Sequence, residues 1–337
     1  MAAVLQSTQV RFAPRRLGHA NIFVGELERS MRFFSQVCGI EEVRREPGIG
    51  AGFLSNGNTH HDIGAMQCGG GVRIGIGGHV QIPEGRGQRP GLNHLGWEMD
   101  SEAVLAAAWR RAVDARVEIH RTADHQLAHS VYLFDPDGNL HEFYADVVDD
   151  WRTVFNPERE DLITGQWEPA SQPPSKDRRW PRDPQVRVVA GAVFHPKRMA
   201  RAVIVAKDLP RMKAFFTEVA GLEPIEASAE DYALLRGAAT RNGWDLALFA
   251  PQQGLQPGLH HCVFEMTEEA SLLAAERKVA SSGADLELIL ERPDKRSIFV
   301  RDPDGMRFEF RCDRPGDRKS TRLNSSHIQK SRMPSSA

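Results

Sequence analysis

"DPDGNLHEF", residues 135–143, occurs a second time as "DPDGMRFEF", residues 302–310, at an offset of 167. In each copy a proline at the second position and a glycine at the fourth mark a type I turn between paired strands. "GLNHLGWEM" (91–99) matches "GLHHCVFEM" (258–266) at the same offset of 167, and "SMRFFSQVCGI" (30–40) matches "RMKAFFTEVAGL" (211–222) at 182. Three matches in one order imply two homologous domains, 14–150 and 195–313. The stretch between them, 151–194, is Pro-rich and polar and reads as a linker. The offset falls because the first copy has extra residues after His61. That glycine-rich stretch, 67–91, is expected to form a flexible loop over one face.

Each domain divides again. Leu27, Met31, Phe34 and Val37 recur at helical spacing, with Gly39 as a stop. Ser101 is the expected N-cap of a helix that places Val104, Leu105, Ala108, Trp109 and Ala112 on one face. A strand precedes each helix and short alternating strands follow. The expected fold is α+β: four βαβββ modules paired into two domains, each a curved sheet cup flanked by helices.

The composition narrows the function. With 41% hydrophobic and 26% charged residues and a formal net charge of -2, the chain is globular and has no basic surface for nucleic acid or lipid. It has no apolar run long enough to span a membrane and no secretory pattern at its start. Cys38, Cys68, Cys262 and Cys312 make no zinc spacing and read as free thiols of a reducing cytoplasm. A homo-oligomer is expected. The Ser- and Lys/Arg-rich end, 314–337, is expected to be disordered and non-native in character, so His327 is no ligand.

The first domain carries more chemistry than the second. His19 lies in the first strand of one module, His94 in the first strand of the next, and Glu142 in that module's last strand. If the paired sheets curl, all three face into the cup. Two imidazoles and a carboxylate leave three coordination positions open, which suits Fe(II) or Mn(II). Alternation puts Asn21 on the His19 side and Tyr144 on the Glu142 side. "NTHHDIGAM" (58–66) reads as a strand interrupted by His60, His61 and Asp62, with His61 facing inward and His60 away.

"GHAN", "HHDIG", "GLNHLGWEM" and "SVYLFDPDGNLHEFY" resemble the vicinal oxygen chelate superfamily, and within it the type I extradiol catechol dioxygenases. The resemblance covers nearly all of 14–313. "DPDGN" and "GLNHLG" are shared with glyoxalases. The HD pair, with a tyrosine ten residues before the glutamate, points to ring-cleaving members. The resemblance implies iron ligands at His19, His94 and Glu142, an acid–base histidine at His61 and a substrate-binding tyrosine at Tyr132. The family's gating histidine stands nine residues before the tyrosine. This chain has Ala123 there, and His125 takes the place with a two-residue deletion. Asn21 matches a position near the metal, while His79 reads as a loop residue.

In the second half Arg201 stands for His19, Trp244 for His61, Arg292 for His125 and Phe299 for Tyr132, although His261 and Glu309 persist. A guanidinium offers no lone pair to a metal, so this half reads as a scaffold. That departs from the familiar two-domain extradiol enzymes, whose site lies in the second domain. The expected reaction is insertion of O₂ into a catechol at non-haem Fe(II). The rivals are a glyoxalase- or epimerase-like reaction without O₂ and a non-catalytic binding module. A variant joins His19 to His261 and Glu309 across the domains.

Overall fold

The computed structural model describes residues 10–75, 78–155, 165–182, 184–225 and 228–314. The first domain runs β1 (Arg16–Val24), α1 (Leu27–Arg32), β2 (Glu41–Glu46), β3 (Ala51–Ser55), β4 (Ile63–Gln67), β5 (Arg73–Ile74), β6 (Val80–Ile82), β7 (Gly91–Glu98), α2 (Glu102–Asp114), β8 (Arg121–Asp124), β9 (Ala128–Phe134) and β10 (Leu140–Asp146). The second repeats it as β11 (Pro196–Val205), α3 (Leu209–Ala214), β12 (Glu223–Pro224), β13 (Tyr232–Arg236), β14 (Leu246–Phe249), β15 (Gly258–Met266), α4 (Glu269–Val279), β16 (Asp285–Glu291), β17 (Lys295–Arg301) and β18 (Arg307–Asp313).

Each domain is built on an eight-stranded sheet, and the first adds the two-stranded β5–β6 pair. The orders, β2-β3-β4-β1-β7-β10-β9-β8 and β12-β13-β14-β11-β15-β18-β17-β16, are the same once the second is renumbered. The first strands of two modules pair antiparallel at the centre, β1 with β7 and β11 with β15. The fold is therefore the expected two-domain α+β arrangement of four βαβββ modules. Local signals act as their chemistry demands. Ser101 accepts from the Val104 N–H, and the DPDG turns close with Gly138 N–H to Asp135 O and Gly305 N–H to Asp302 O. Both FF helices end in a wider turn, Cys38 N–H to Phe33 O and Ala220 N–H to Phe215 O, five residues apart as in a π-helix.

The domains dock reciprocally. Arg11, Phe12 and Ala13, just before β1, donate to Glu218, Val219 and Ala220, while Val193 and Phe194, just before β11, donate to Gln36 and Val37. Helices and inner sheet faces share one continuous core, with Phe34, Phe194, Phe216, Phe308 and Phe310 fully buried. Asp62 Oδ1 accepts from Met199 N–H at 2.9 Å, and its counterpart Asp245 accepts from Leu17 N–H at 3.2 Å.

Three readings change. "NTHHDIGAM" is not strand throughout: β4 starts at Ile63, and His60 and His61 sit in the loop before it. The glycine-rich insertion is not only loop but holds the β5–β6 hairpin. Arg314, placed in the disordered tail, donates from its backbone to Asp294 O and pairs with Glu269. The rest of that tail, 315–337, lies outside the described residues.

Candidate metal centre

One row of residues crosses five adjacent strands of the first sheet. His19 on β1 pairs with Gly96 on β7, Gly96 with Glu142 on β10, Glu142 with Tyr132 on β9, and Tyr132 with Arg121 on β8. Residues opposite one another share a face. His94, two residues before Gly96, points to that same face. Gly96 has a steric reason to lack a side chain: a Cβ there would lie 2.0 Å from His19 Nε2. Gly64 makes the same kind of room, since its Cβ would lie 2.3 Å from Asn21 Oδ1.

The imidazoles converge on one oxygen. His19 Nε2 lies 2.9 Å and His94 Nε2 3.1 Å from Glu142 Oε2. The other oxygen, Oε1, accepts from Ser130 Oγ at 2.6 Å and Tyr132 OH at 2.7 Å. These donors leave Oε2 as the oxygen presented to the histidines. Ligand atoms bound at right angles, each about 2.1 Å from a metal, lie about 3 Å apart. His94 Nε2 also has no hydrogen-bond partner despite its complete burial. Spacing, donor set and orphaned nitrogen all fit a divalent ion held by His19, His94 and Glu142.

The electrostatics favour the ligating forms. Burial takes His19 down to about 4 and lowers His94, so both are neutral with lone pairs available. Burial alone would raise Glu142, but the close approach of His19 and His94 outweighs it and holds the carboxyl well below its usual range. Tyr132 is pushed well above 10 by burial and the Glu142 charge, so its phenol keeps its proton.

A cavity open to solvent lies over this row. His61 lines it, its ring tilted by 32° and centred 4.0 Å from the His19 ring, with Nε2 2.8 Å from Asn21 Oδ1. With the amide oxygen as acceptor, Nε2 carries the hydrogen and Nδ1 is the basic nitrogen. Burial lowers His61 well below 6.5. His125 Nε2 lies 2.9 Å from Tyr132 OH and 3.6 Å from Glu142 Oε1, so the two-residue deletion still brings it to the tyrosine.

His60 does not face away. It is buried, lines the same cavity and sets Nδ1 3.4 Å from Asp146 Oδ1, because alternation lapses in the loop before β4. His79 is exposed in the hairpin. Sequence reasoning missed Ser130, whose counterpart Ser297 also donates to its glutamate; that shared serine was the available signal. It also missed Phe155, a linker residue that lines the cavity, and Arg86 and Arg121 on its wall.

The second sheet shows the row dismantled. The equivalent residues are Arg201, Val263, Glu309, Phe299 and Leu288. Val263 fills the space that Gly96 leaves open. Arg201 turns from the glutamate: it donates to Trp244 O at 3.0 Å and pairs with Asp313 at 2.7 Å. The cation at Glu309 is Lys295 instead, at 3.0 Å. His261 and Glu309 line a cavity of their own that His19 does not line, and among the described residues His19 groups with His94 and Glu142 rather than with them.

A family model described as the glyoxalase/bleomycin resistance protein/dioxygenase superfamily matches residues 16–143 and 198–310. A catechol-2,3-dioxygenase of Bacillus subtilis (strain 168) is 24% identical over 307 residues, covering 85% of this chain and 93% of that protein. Among solved structures, the 2,3-dioxygenase LapB of Pseudomonas sp. KL28 superposes with a TM-score of 0.62 at 16% identity, covering 89% of this chain and 92% of that one. An Mn(II)-bound glyoxalase from Novosphingobium aromaticivorans also gives 0.62, at 14% identity, covering 89% and 82%. The chain thus has the fold common to extradiol-type dioxygenases and glyoxalases, and it belongs to the glyoxalase/bleomycin resistance protein/dioxygenase superfamily.

Proposed function

We propose that this protein is an extradiol ring-cleaving dioxygenase whose first domain, about 14–150, is catalytic and whose second, about 195–313, is a degenerate copy. Its substrates are a catechol-type diol and O₂, and its cofactor is Fe(II), with Mn(II) as the alternative. The observation that carries this reading is the convergence of His19 and His94 on Glu142 Oε2 beneath a cavity that also holds His61 and Tyr132. A bound ion of this kind would lower the pKa of the diol and offer adjoining positions to diol and O₂.

The chain's own residues supply the rest. His61, held neutral by burial, takes the proton of the second hydroxyl on Nδ1 and returns it during ring opening. Asn21 fixes the tautomer that makes this possible. Tyr132 stays protonated and steadies both Glu142 and a diol oxygen, with His125 orienting its phenol. A glyoxalase-like reaction would leave His61 and Tyr132 without a task.

Oxygen uptake by anaerobically Fe(II)-loaded protein across a catechol panel tests the reading. The expected result is uptake with appearance of a yellow ring-opened product. Turnover of a hemithioacetal without O₂, and no uptake with any catechol, would overturn it.

A further inference from the structure

The row that carries His19, Glu142 and Tyr132 ends in Arg121, one strand beyond the tyrosine. Its guanidinium lies 4.4 Å from the Tyr132 ring centroid, on the cavity side. It donates to the carbonyls of Val80 and Gln81 and neighbours the Tyr132 phenol, and its buried Nε has no partner. Arg86, carried over the cavity by the glycine-rich insertion, donates to the backbone and side-chain oxygens of Asn93. Among the described residues, no carboxylate pairs with either guanidinium. Glu46 shares the wall, but Gln81 donates to it at 2.9 Å and Arg44 supplies its nearby charge.

Two half-buried cations facing one cavity without a counter-ion repel each other. Burial and then the Arg121 charge take Arg86 down to about 10, and burial followed by these two cations lowers His120 at the rim. An anion between them would relieve this, and guanidinium groups match a carboxylate in geometry and charge. The second domain is an internal comparison: where the metal row is lost, Leu288 stands in place of Arg121.

We infer that the substrate of the proposed ring-cleaving reaction carries a carboxylate, which Arg121 and Arg86 bind at the far end of the cavity from Glu142. This rests on the dioxygenase reading for the diol end alone. The spacing sets the size of the molecule. Arg121 and Glu142 are two strand spacings apart, about 10 Å between backbones. With side chains leaning inward, that span suits one aromatic ring bearing its carboxylate opposite the diol on a short arm.

The test is anaerobic titration calorimetry of the full metal-loaded chain with 3,4-dihydroxyphenylacetate, 4-ethylcatechol and a sulfonated catechol. The carboxylated diol is expected to bind at least about 10-fold more tightly than 4-ethylcatechol, the loss typical of a charge-assisted hydrogen bond. Arg121→Met and Arg86→Met should each shrink that preference about 10-fold, with unchanged circular dichroism showing intact folding. If Arg121→Met misfolds, the salt dependence of the wild-type preference decides: it should fall from 0.05 to about 0.5 M NaCl as charges are screened. Equal binding of neutral and carboxylated diols, or a preference untouched by both variants, overturns the inference. A stronger preference for the sulfonate overturns the choice of carboxylate. Oxygen uptake run in parallel separates the two readings, because a carboxylate preference without uptake sinks the dioxygenase and leaves the anion site standing.

Discussion

Lys295 Nζ lies 3.0 Å from Glu309 Oε1, the oxygen that Ser297 also holds, so a fixed ammonium meets the carboxylate that has lost its first histidine. The first domain has Ala128 at that position. The second cup thus holds an internal cation where the first would hold a divalent ion on the proposed reading, and each chain should bind one metal. His94→Ala should abolish iron loading, and His261→Ala should leave it largely intact. Elemental analysis of the two purified proteins decides, and iron lost from His261→Ala alone would reverse the assignment.

Lys295 also gives a stability prediction. Removing one partner of a buried ion pair strands the other, at a cost of about 3–5 kcal/mol. Lys295→Met should therefore lower the urea midpoint sharply, and Lys295→Met with Glu309→Gln should recover much of it. A single variant as stable as wild type would show that Glu309 does not need the ammonium.

His61→Ala should keep its metal and turn over roughly 10²–10⁴-fold more slowly, the usual contribution of general acid–base catalysis. Single-turnover spectra should show diol binding nearly unchanged. A wild-type rate would reduce His61 to a packing residue.

Gly96→Ala tests the row by adding one methyl group. Its Cβ would meet His19 Nε2 at 2.0 Å, so the ring must move from Glu142. Overpacking costs about 1–3 kcal/mol, and iron affinity should fall more than stability does. Full iron loading at wild-type affinity would show that His19 does not have to lie over this glycine.

Burial raises the Asp62 carboxyl from 3.8 to about 6, although it accepts from Asn56 and Met199. A raised folded pKa means that its contribution is complete below about pH 4 and is lost as pH rises through about 6. In Asp62→Asn one amide end still accepts, but the other sets a donor against a donor. The variant should be less stable overall, with a flatter pH dependence between 4 and 6. Parallel unfolding profiles for the two proteins would expose the mistake.

The repeat made the fold legible, because each domain's pairing order follows from the same local pattern. The shared face of His19, His94 and Glu142 was legible as well, since strand alternation assigns a face. Alternation turned His60 away wrongly, because His60 sits in a loop where the rule lapses. Lys295 and Arg121 matter through strands that neighbour them only after the sheet has formed. Phe155 belongs to a polar, Pro-rich stretch whose composition hides one aromatic that folds back over the cavity.

The Asp62 clamp grounds the two halves of the site differently. His19, His94 and Glu142 stand on central strands of one sheet and need only that sheet to hold their geometry. His61 sits on a loop tied to the other domain and to the linker: Asn58 donates to Lys197 O and Met199 donates to Asp62, while Arg187 of the linker donates to Asn56 O. Loosening the domain contact would blur the position of His61, the proposed proton carrier, while His19, His94 and Glu142 kept their arrangement. The second copy thus acts as the anvil against which the loop that carries His61 is set.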